Sequence, residues 1–347
     1  MFLFTILFII LPLLLYAIYE LLGRKLTSGE IDRKAVLITG CGSGFGRDLV
    51  KRCLQNGLIV FAGCRRATSV NELEESNSSI NQGRLYAFQM DVTDDESVRK
   101  SRRIVDNVLR EKNLVFHALI NNAGVRGNIF YDDFLTLDDY REVWDVNTCG
   151  VIRVTQTFRD LIKKSRGRIV ICSSAITLFP TAGNGPYSCS KFAVQAYSMV
   201  IRHELQPYGV NVIEIIPGSF ESGMQSSERL IKMLNKVWYR APQKLRDEYG
   251  YNYNDKAKEF TKELQQNIVE KDSTWVIDSY YEAIVAKRPK LLYRIGWDVL
   301  ITFYPYSFLP LRLQLYVMKF LMHLNGAPSP AITSKNIRSE SPKILDN

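Results

Sequence analysis

Histidine is scarce in this chain: three occur in 347 residues, and His117, His203 and His323 lack the spacing of a ligand set. No metal site is expected from them. The six cysteines, Cys41, Cys53, Cys64, Cys149, Cys172 and Cys189, never form a CxxC pair. Several fall in apolar runs, so they read as buried small hydrophobes in a reducing compartment. There is no arginine-rich run and no zinc-finger spacing, so nucleic acid is not an expected partner despite a net charge of +9. Internal repeats and long low-complexity stretches are missing as well.

What is present is an ordinary globular composition, 46% hydrophobic and 23% charged, with length enough for an ample core. The basic excess suits a phosphorylated cofactor or anionic lipid, or solubility alone. Apolar residues crowd both ends. Residues 1–23, "MFLFTILFIILPLLLYAIYELLG", carry one charge, Glu20. The first 22 or so, as a helix, reach about 33 Å, the thickness of a hydrocarbon core. A cleaved signal peptide wants a basic start and a shorter apolar run. The expectation is therefore an N-terminal transmembrane helix, a retained single-pass anchor, with a cleaved leader as the alternative. Arg24, Lys25, Arg33 and Lys34 follow it, which puts the next domain on the cytosolic side of a membrane, expected to be the endoplasmic reticulum. The sequon Asn77-Ser78-Ser79 would accept glycan if that side were lumenal.

Between the ends, apolar runs at 35–39, 58–64, 85–92, 116–124, 167–174 and 211–218 alternate with helix-length segments, and 291–296 offers a seventh. Continuous apolar strands alternating with helices imply a parallel sheet covered on both faces. The fold class is thus α/β, a doubly wound, Rossmann-type parallel sheet of six to seven strands over 34–296. Residues 223–290 break the rhythm, polar and rich in aromatics, and read as a substrate-covering helical insertion or as a plain surface pair. Residues 297–324 are apolar but interrupted by Pro305 and Pro310, which suits a membrane-associated or pocket segment rather than a straight span. Residues 325–347 read as a loose tail.

Three stretches carry chemistry. "ITGCGSGFGRDLV" (38–50) follows the first strand, and Gly40, Gly44 and Gly46 would let backbone N–H groups approach a pyrophosphate at a helix start. The second strand ends in Cys64, Arg65 and Arg66, where a site for NAD usually has an acid. Positive charge there favours the 2′-phosphate of NADP, with NAD still allowed. In "GPYSCSKF" (185–192), Pro186 suits a first helical turn, so Tyr187 and Lys191 share one helix face.

Thr39-Gly40-x-x-x-Gly44-x-Gly46, "NNAG" (121–124), Asn147, Ser174, Tyr187-x-x-x-Lys191 and Pro217-Gly218 together resemble the short-chain dehydrogenase/reductase family, in order and spacing, over roughly 34–218. The later "YRIGWD" (293–298), with its apolar tail, resembles the membrane-bound retinol and hydroxysteroid dehydrogenases, a branch that includes the 3-hydroxybutyrate dehydrogenases. The resemblance implies that Tyr187 exchanges the proton of a substrate oxygen, aided by Lys191. A free phenol, with a pKa of about 10, is a poor base near neutrality, and a nearby ammonium favours phenolate. It implies that Ser174 orients the substrate oxygen, with Ser173 the neighbouring alternative, and that Asn147 holds a water passing the proton outward. Cofactor contacts carry over to Thr39, Gly40, Ser43, Gly44, Phe45, Gly46, Arg65, Asp91, Val92, Asn122, Ala123, Gly124, Tyr187, Lys191, Pro217, Gly218 and Phe220. Ser222 stands where the family often has threonine. Members often pair into homodimers.

The implied function is an NAD(P)-dependent oxidoreductase moving hydride between nicotinamide and a lipophilic alcohol or ketone. A hydroxysteroid or sterol is favoured, for which the anchor would supply contact with membrane lipid. Alternatives are a retinol dehydrogenase, a 3-hydroxybutyrate dehydrogenase, or a non-catalytic NADP-binding membrane protein.

Overall fold

Seven short apolar segments lie side by side in a single parallel sheet: β1 (Lys34–Thr39), β2 (Ile59–Cys64), β3 (Leu85–Gln89), β4 (Val115–Asn121), β5 (Arg168–Cys172), β6 (Asn211–Pro217) and β7 (Leu292–Ile295). A computed structural model describes residues 2–27, 29, 31–221 and 226–331. The strand order is β3-β2-β1-β4-β5-β6-β7, so the winding reverses between β1 and β4 and opens a crevice at their carboxyl ends. Neighbouring residues of a strand point to opposite faces, and both faces are buried. Val36 and Ile38 pack beneath the helices Gly44–Gln55 and Thr274–Val285. Ala35 and Leu37 pack beneath Asp95–Glu111, Gly150–Ser165 and Gly185–Leu205. Each such Val or Leu contributes roughly 1.5–3 kcal/mol by leaving water. That two-sided burial is why the strands read as unbroken apolar runs.

The stretch 223–290 divides in two. Its last helix, Thr274–Val285, covers the sheet, and its carboxyl end is fastened there by buried polar groups. Arg168 Nη1 donates to Ala283 O at 2.8 Å and to Ala286 O at 3.0 Å, and His117 Nε2 lies 2.9 Å from Ile284 O. Burial, and then the Arg168 cation, hold His117 down to about 3, so it stays neutral. The earlier helices, Ser227–Arg240, Gln243–Tyr249 and Tyr253–Ile268, form a separate core. Leu230, Leu234, Trp238, Tyr249 and Tyr253 close over Phe130 and Phe134 from the segment after β4. Trp238 stacks on Phe134 at 5.5 Å, and Tyr249 meets its edge at 4.8 Å.

The expected transmembrane anchor over residues 1–23 is corrected by the structure. Among the described residues no helix is long and apolar enough to cross a membrane. A helix does run over Phe2–Lys25, with Pro12 inside it, and its carboxyl end is tied to the domain. Arg288 pairs with Glu20 at 3.4 Å and covers the Tyr19 ring at 3.6 Å, while Lys287 N–H donates to Leu26 O at 2.7 Å. The later apolar helix, Leu311–Leu324, has 14 residues, against the roughly 20 that a bilayer requires. The single-pass endoplasmic-reticulum address, the cytosolic orientation and the membrane-lipid partner rested on that anchor and lose their basis with it, and the membrane-bound branch read from "YRIGWD" is corrected by the same lack of a spanning helix among the described residues.

Two smaller readings also change. Asn77 of the sequon is buried at 3% exposure, and its amide donates to Leu73 O at 2.8 Å, so it presents no acceptor for a glycan. All six cysteines are free, but burial is uneven: Cys41, Cys53 and Cys64 are buried, Cys149 and Cys172 are half-buried, and Cys189 is exposed. Burial pushes the Cys64 thiol up to about 11, which keeps it unreactive.

Candidate active site

The glycine-rich turn leaves β1 at the reversal point. Gly40 has φ +75°, a left-handed conformation in which any side chain is strained, and a Cβ there would also meet the Ala123 backbone at 2.8 Å. A Cβ on Gly46 would lie 2.5 Å from Gly40 O and 2.6 Å from Asn122 Nδ2. The helix Gly44–Gln55 thus starts hard against β4. Its N-cap, Ser43, makes no side-chain capping bond, so the first-turn N–H groups face the crevice without an intramolecular cap. Thr39 Oγ1 sews β1 to β4 by accepting from the N–H groups of Asn122 and Ala123, both at 3.0 Å. A bare glycine cradle at a helix start fits a pyrophosphate.

The end of β2 carries Arg65, whose side chain is 75% exposed and reaches Asp91 at 3.6 Å. Burial pushes the Asp91 carboxyl up but is outweighed by hydrogen bonds from the Thr93 N–H and hydroxyl and by Arg65, so it ends below its usual value. Val92, next along, is buried against Gly150. The two groups expected at the adenosine end therefore lie side by side.

Across the crevice the helix Gly185–Leu205 begins at Asn184, with Pro186 in its first turn. Its pitch sets Lys191 one turn beyond Tyr187, and the ammonium lies 5.7 Å from the Tyr187 ring centre. Lys191 is buried at 4% exposure, and Nζ donates to Cys172 O at 2.8 Å. Two residues past that carbonyl stands Ser174, half-buried, whose Oγ accepts from Ile176 N at 3.3 Å. Ser173 is buried at 1% exposure and faces Glu214, whose carboxyl burial pushes up. Of the neighbouring pair, Ser174 is the one left partly open.

Asn147 sits in a π-helical turn, Asp145–Cys149, a register shift often found at functional sites. Its Oδ1 accepts from Val125 N at 2.8 Å, and its Nδ2 donates to Val125 O at 2.8 Å and Ser190 Oγ at 3.0 Å. Both amide hydrogens are therefore engaged. Gly124 lies between Asn147 and Lys191; a Cβ on it would stand 3.3 Å from Asn147 Oδ1 and 3.7 Å from Lys191 Nζ. Beyond β6, Pro217 and Gly218 lead into Phe220, whose ring meets Phe45 of the glycine-rich turn edge-on at 6.5 Å. Ser222 lies outside the described residues.

Three polar residues at this site carried no sequence signal. Tyr280, fully buried, donates to Asn122 Oδ1 at 3.3 Å, while Asn122 Nδ2 donates to Thr39 O at 3.0 Å. Arg126 Nη2 donates to Asn184 Oδ1 at 3.0 Å, joining the loop after β4 to the start of the Tyr187 helix. Asp298 accepts from Ser219 N at 2.8 Å. Asp298 falls in the "YRIGWD" run and Tyr280 in the aromatic stretch 223–290, but nothing in either indicated the partner.

Comparison with known proteins shows the family. The sequence profile of the short chain dehydrogenase family matches residues 34–231. The chain is 36% identical over 341 residues to 3beta-hydroxysteroid dehydrogenase dhs-16 of Caenorhabditis elegans, covering 96% of this chain and 87% of that protein. It is 33% identical over 323 residues to retinol dehydrogenase 5 of Mus musculus, covering 93% and 98%. Among solved structures, a short chain dehydrogenase/reductase of Burkholderia phymatum in complex with NAD superposes with a TM-score of 0.63 at 22% identity, covering 85% of this chain and 97% of that one. That likeness is one of fold.

Proposed function

This chain belongs to the short-chain dehydrogenase family and is a nicotinamide-dinucleotide-dependent oxidoreductase of a small organic alcohol or ketone, and from that premise we propose a hydroxysteroid or sterol as its substrate and NADP as its preferred cofactor. One observation carries the chemistry: Lys191, buried and bonded to the end of β5, lies against Tyr187 beside the glycine cradle. The cofactor supplies the hydride acceptor or donor. The protein supplies the rest. Tyr187 exchanges the proton of the substrate oxygen, and Ser174 orients that oxygen. Lys191 would hold the nicotinamide ribose and places its ammonium beside the phenol. Asn147 has both amide hydrogens committed to Val125 and Ser190, so a water on the outward proton path would donate to one of its oxygens.

The exposed guanidinium of Arg65 and the absence of an acid at Cys64 support NADP over NAD. The aromatic cover formed by 227–268 and the apolar segment after β7 support a greasy substrate. The relative named as a 3beta-hydroxysteroid dehydrogenase favours a steroid; the one named as a retinol dehydrogenase supplies the competing reading. The test is a panel of keto- and hydroxysteroids, retinal and retinol, and 3-hydroxybutyrate, each with NADPH/NADP and NADH/NAD. The expected result is turnover of a steroid at a higher kcat/KM than a retinoid, and with the phosphorylated cofactor preferred. Faster turnover of retinoids, or a preference for NADH, would overturn the respective assignment.

A further inference from the structure

The loop after β6 is gripped from two directions by residues far along the chain. On one side Gly218 N–H donates to Ile295 O at 2.8 Å, and Ser219 N–H donates to Asp298 Oδ2 at 2.8 Å. On the other, Glu221 N–H donates to Glu270 O and Glu270 N–H to Ser219 O, both at 2.8 Å. Asp298 fits its place closely. Gly218 and Gly296 both lie against its carboxylate, and a Cβ on either would collide with it. Its other oxygen accepts from Val299 N at 2.8 Å, at the start of the π-helical turn Asp298–Phe303. Among the described residues no cation pairs with it, so its work is done on backbone N–H groups.

The turn that Asp298 opens runs straight to the other side of the site. Phe303 stacks on Phe179 at 4.7 Å, and Tyr306 meets the same ring at 4.6 Å. Phe179 follows Ser174 by one short turn, Ala175–Thr177. One carboxylate therefore joins the loop at Gly218–Phe220 to the aromatic group behind Ser174.

We infer that Asp298 is a positioning residue that fixes the loop Pro217–Phe220 against the nicotinamide end of the cofactor and sets it in register with the substrate side. The inference rests on reading that loop as the nicotinamide-side wall. A carboxylate is suited to the task because it accepts two N–H groups at once, one on each oxygen. Asparagine can accept only through one oxygen, and alanine through none.

The test separates the two ends of the cofactor. Binding of NADPH and of 2′-phospho-ADP-ribose, which lacks nicotinamide, is measured by calorimetry on the wild type, Asp298→Ala and Asp298→Asn, with thermal melting to confirm folding. The expected result for Asp298→Ala is NADPH binding weakened about tenfold while the fragment stays within about twofold, with Asp298→Asn intermediate. Should Asp298→Ala fail to fold, Asp298→Asn carries the same comparison with a loss of about threefold confined to NADPH. Equal losses for both compounds, or no loss for either, would overturn the inference. A wild type that binds NADPH no tighter than the fragment would overturn the reading of the loop itself, and is distinguished by appearing before any substitution is made.

Discussion

At the ends of β1 and β4 the site is shaped by backbone and glycine; in the cover built from the segments after β4 and after β6 it is shaped by aromatic rings and a few buried charges. At the first, Gly40, Gly46 and Thr39 bring main-chain atoms of two strands within hydrogen-bond reach, and few side chains intervene. At the second, Phe130, Phe134, Trp238, Tyr249 and Tyr253 pack into a core of their own, pinned by an ion pair. Arg240 Nη2 reaches Asp139 Oδ2 at 2.5 Å, and Asp139 is only 4% exposed. The contrast suits the chemistry of the two ligands. A pyrophosphate is the same in every turnover and can be met by fixed N–H groups. An apolar substrate offers few polar handles and must be met by shape.

The contrast can be broken most severely at the cradle. Gly46→Val would drive a side chain into Gly40 O and Asn122 Nδ2, and we expect NADPH binding to weaken by at least about 100-fold. Circular dichroism should remain near wild type, because the clash falls at a turn and not in the sheet. The cover should respond differently. Arg240→Met leaves the Asp139 carboxylate buried without its cation and should cost about 1–3 kcal/mol in denaturant unfolding. NADPH binding should survive this change, and the KM for the apolar substrate should rise.

The smallest effect is the pH dependence of that same ion pair. Burial pushes the Asp139 carboxyl up, but hydrogen bonds from Arg240, the Thr136 N–H, Asn128 and the Thr136 hydroxyl outweigh it, leaving it well below the usual carboxylate range. A depressed folded pKa contributes stability that is present above the unfolded value, near 4, and is lost as pH falls through the folded one. Acid unfolding of the wild type below about pH 4 should therefore be steeper than that of Arg240→Met.

Much of the cofactor side was legible because its parts are close in sequence. The glycine turn lies within seven residues of chain, Gly40 to Gly46, and Tyr187 and Lys191 are one helical turn apart. Periodicity alone therefore put them in register. What escaped reading is long-range. Asp298 and its partner Ser219 are 79 residues apart, Arg240 and Asp139 are 101, and Tyr280 and Asn122 are 158. No local pattern encodes such pairs. The N-terminal segment misled for a related reason: counting apolar residues gave length, while the contact of Glu20 with Arg288, 268 residues away, is a matter of tertiary structure.

The most direct test of the central claim, proton exchange at Tyr187 beside a bound nicotinamide, is single-turnover oxidation of bound NADPH by a ketosteroid in the wild type and in Tyr187→Phe, followed at the nicotinamide absorbance. We expect Tyr187→Phe to bind NADPH within about twofold of the wild type and to transfer hydride about 1000-fold more slowly. Hydride transfer at an undiminished rate in the phenylalanine variant would contradict the account.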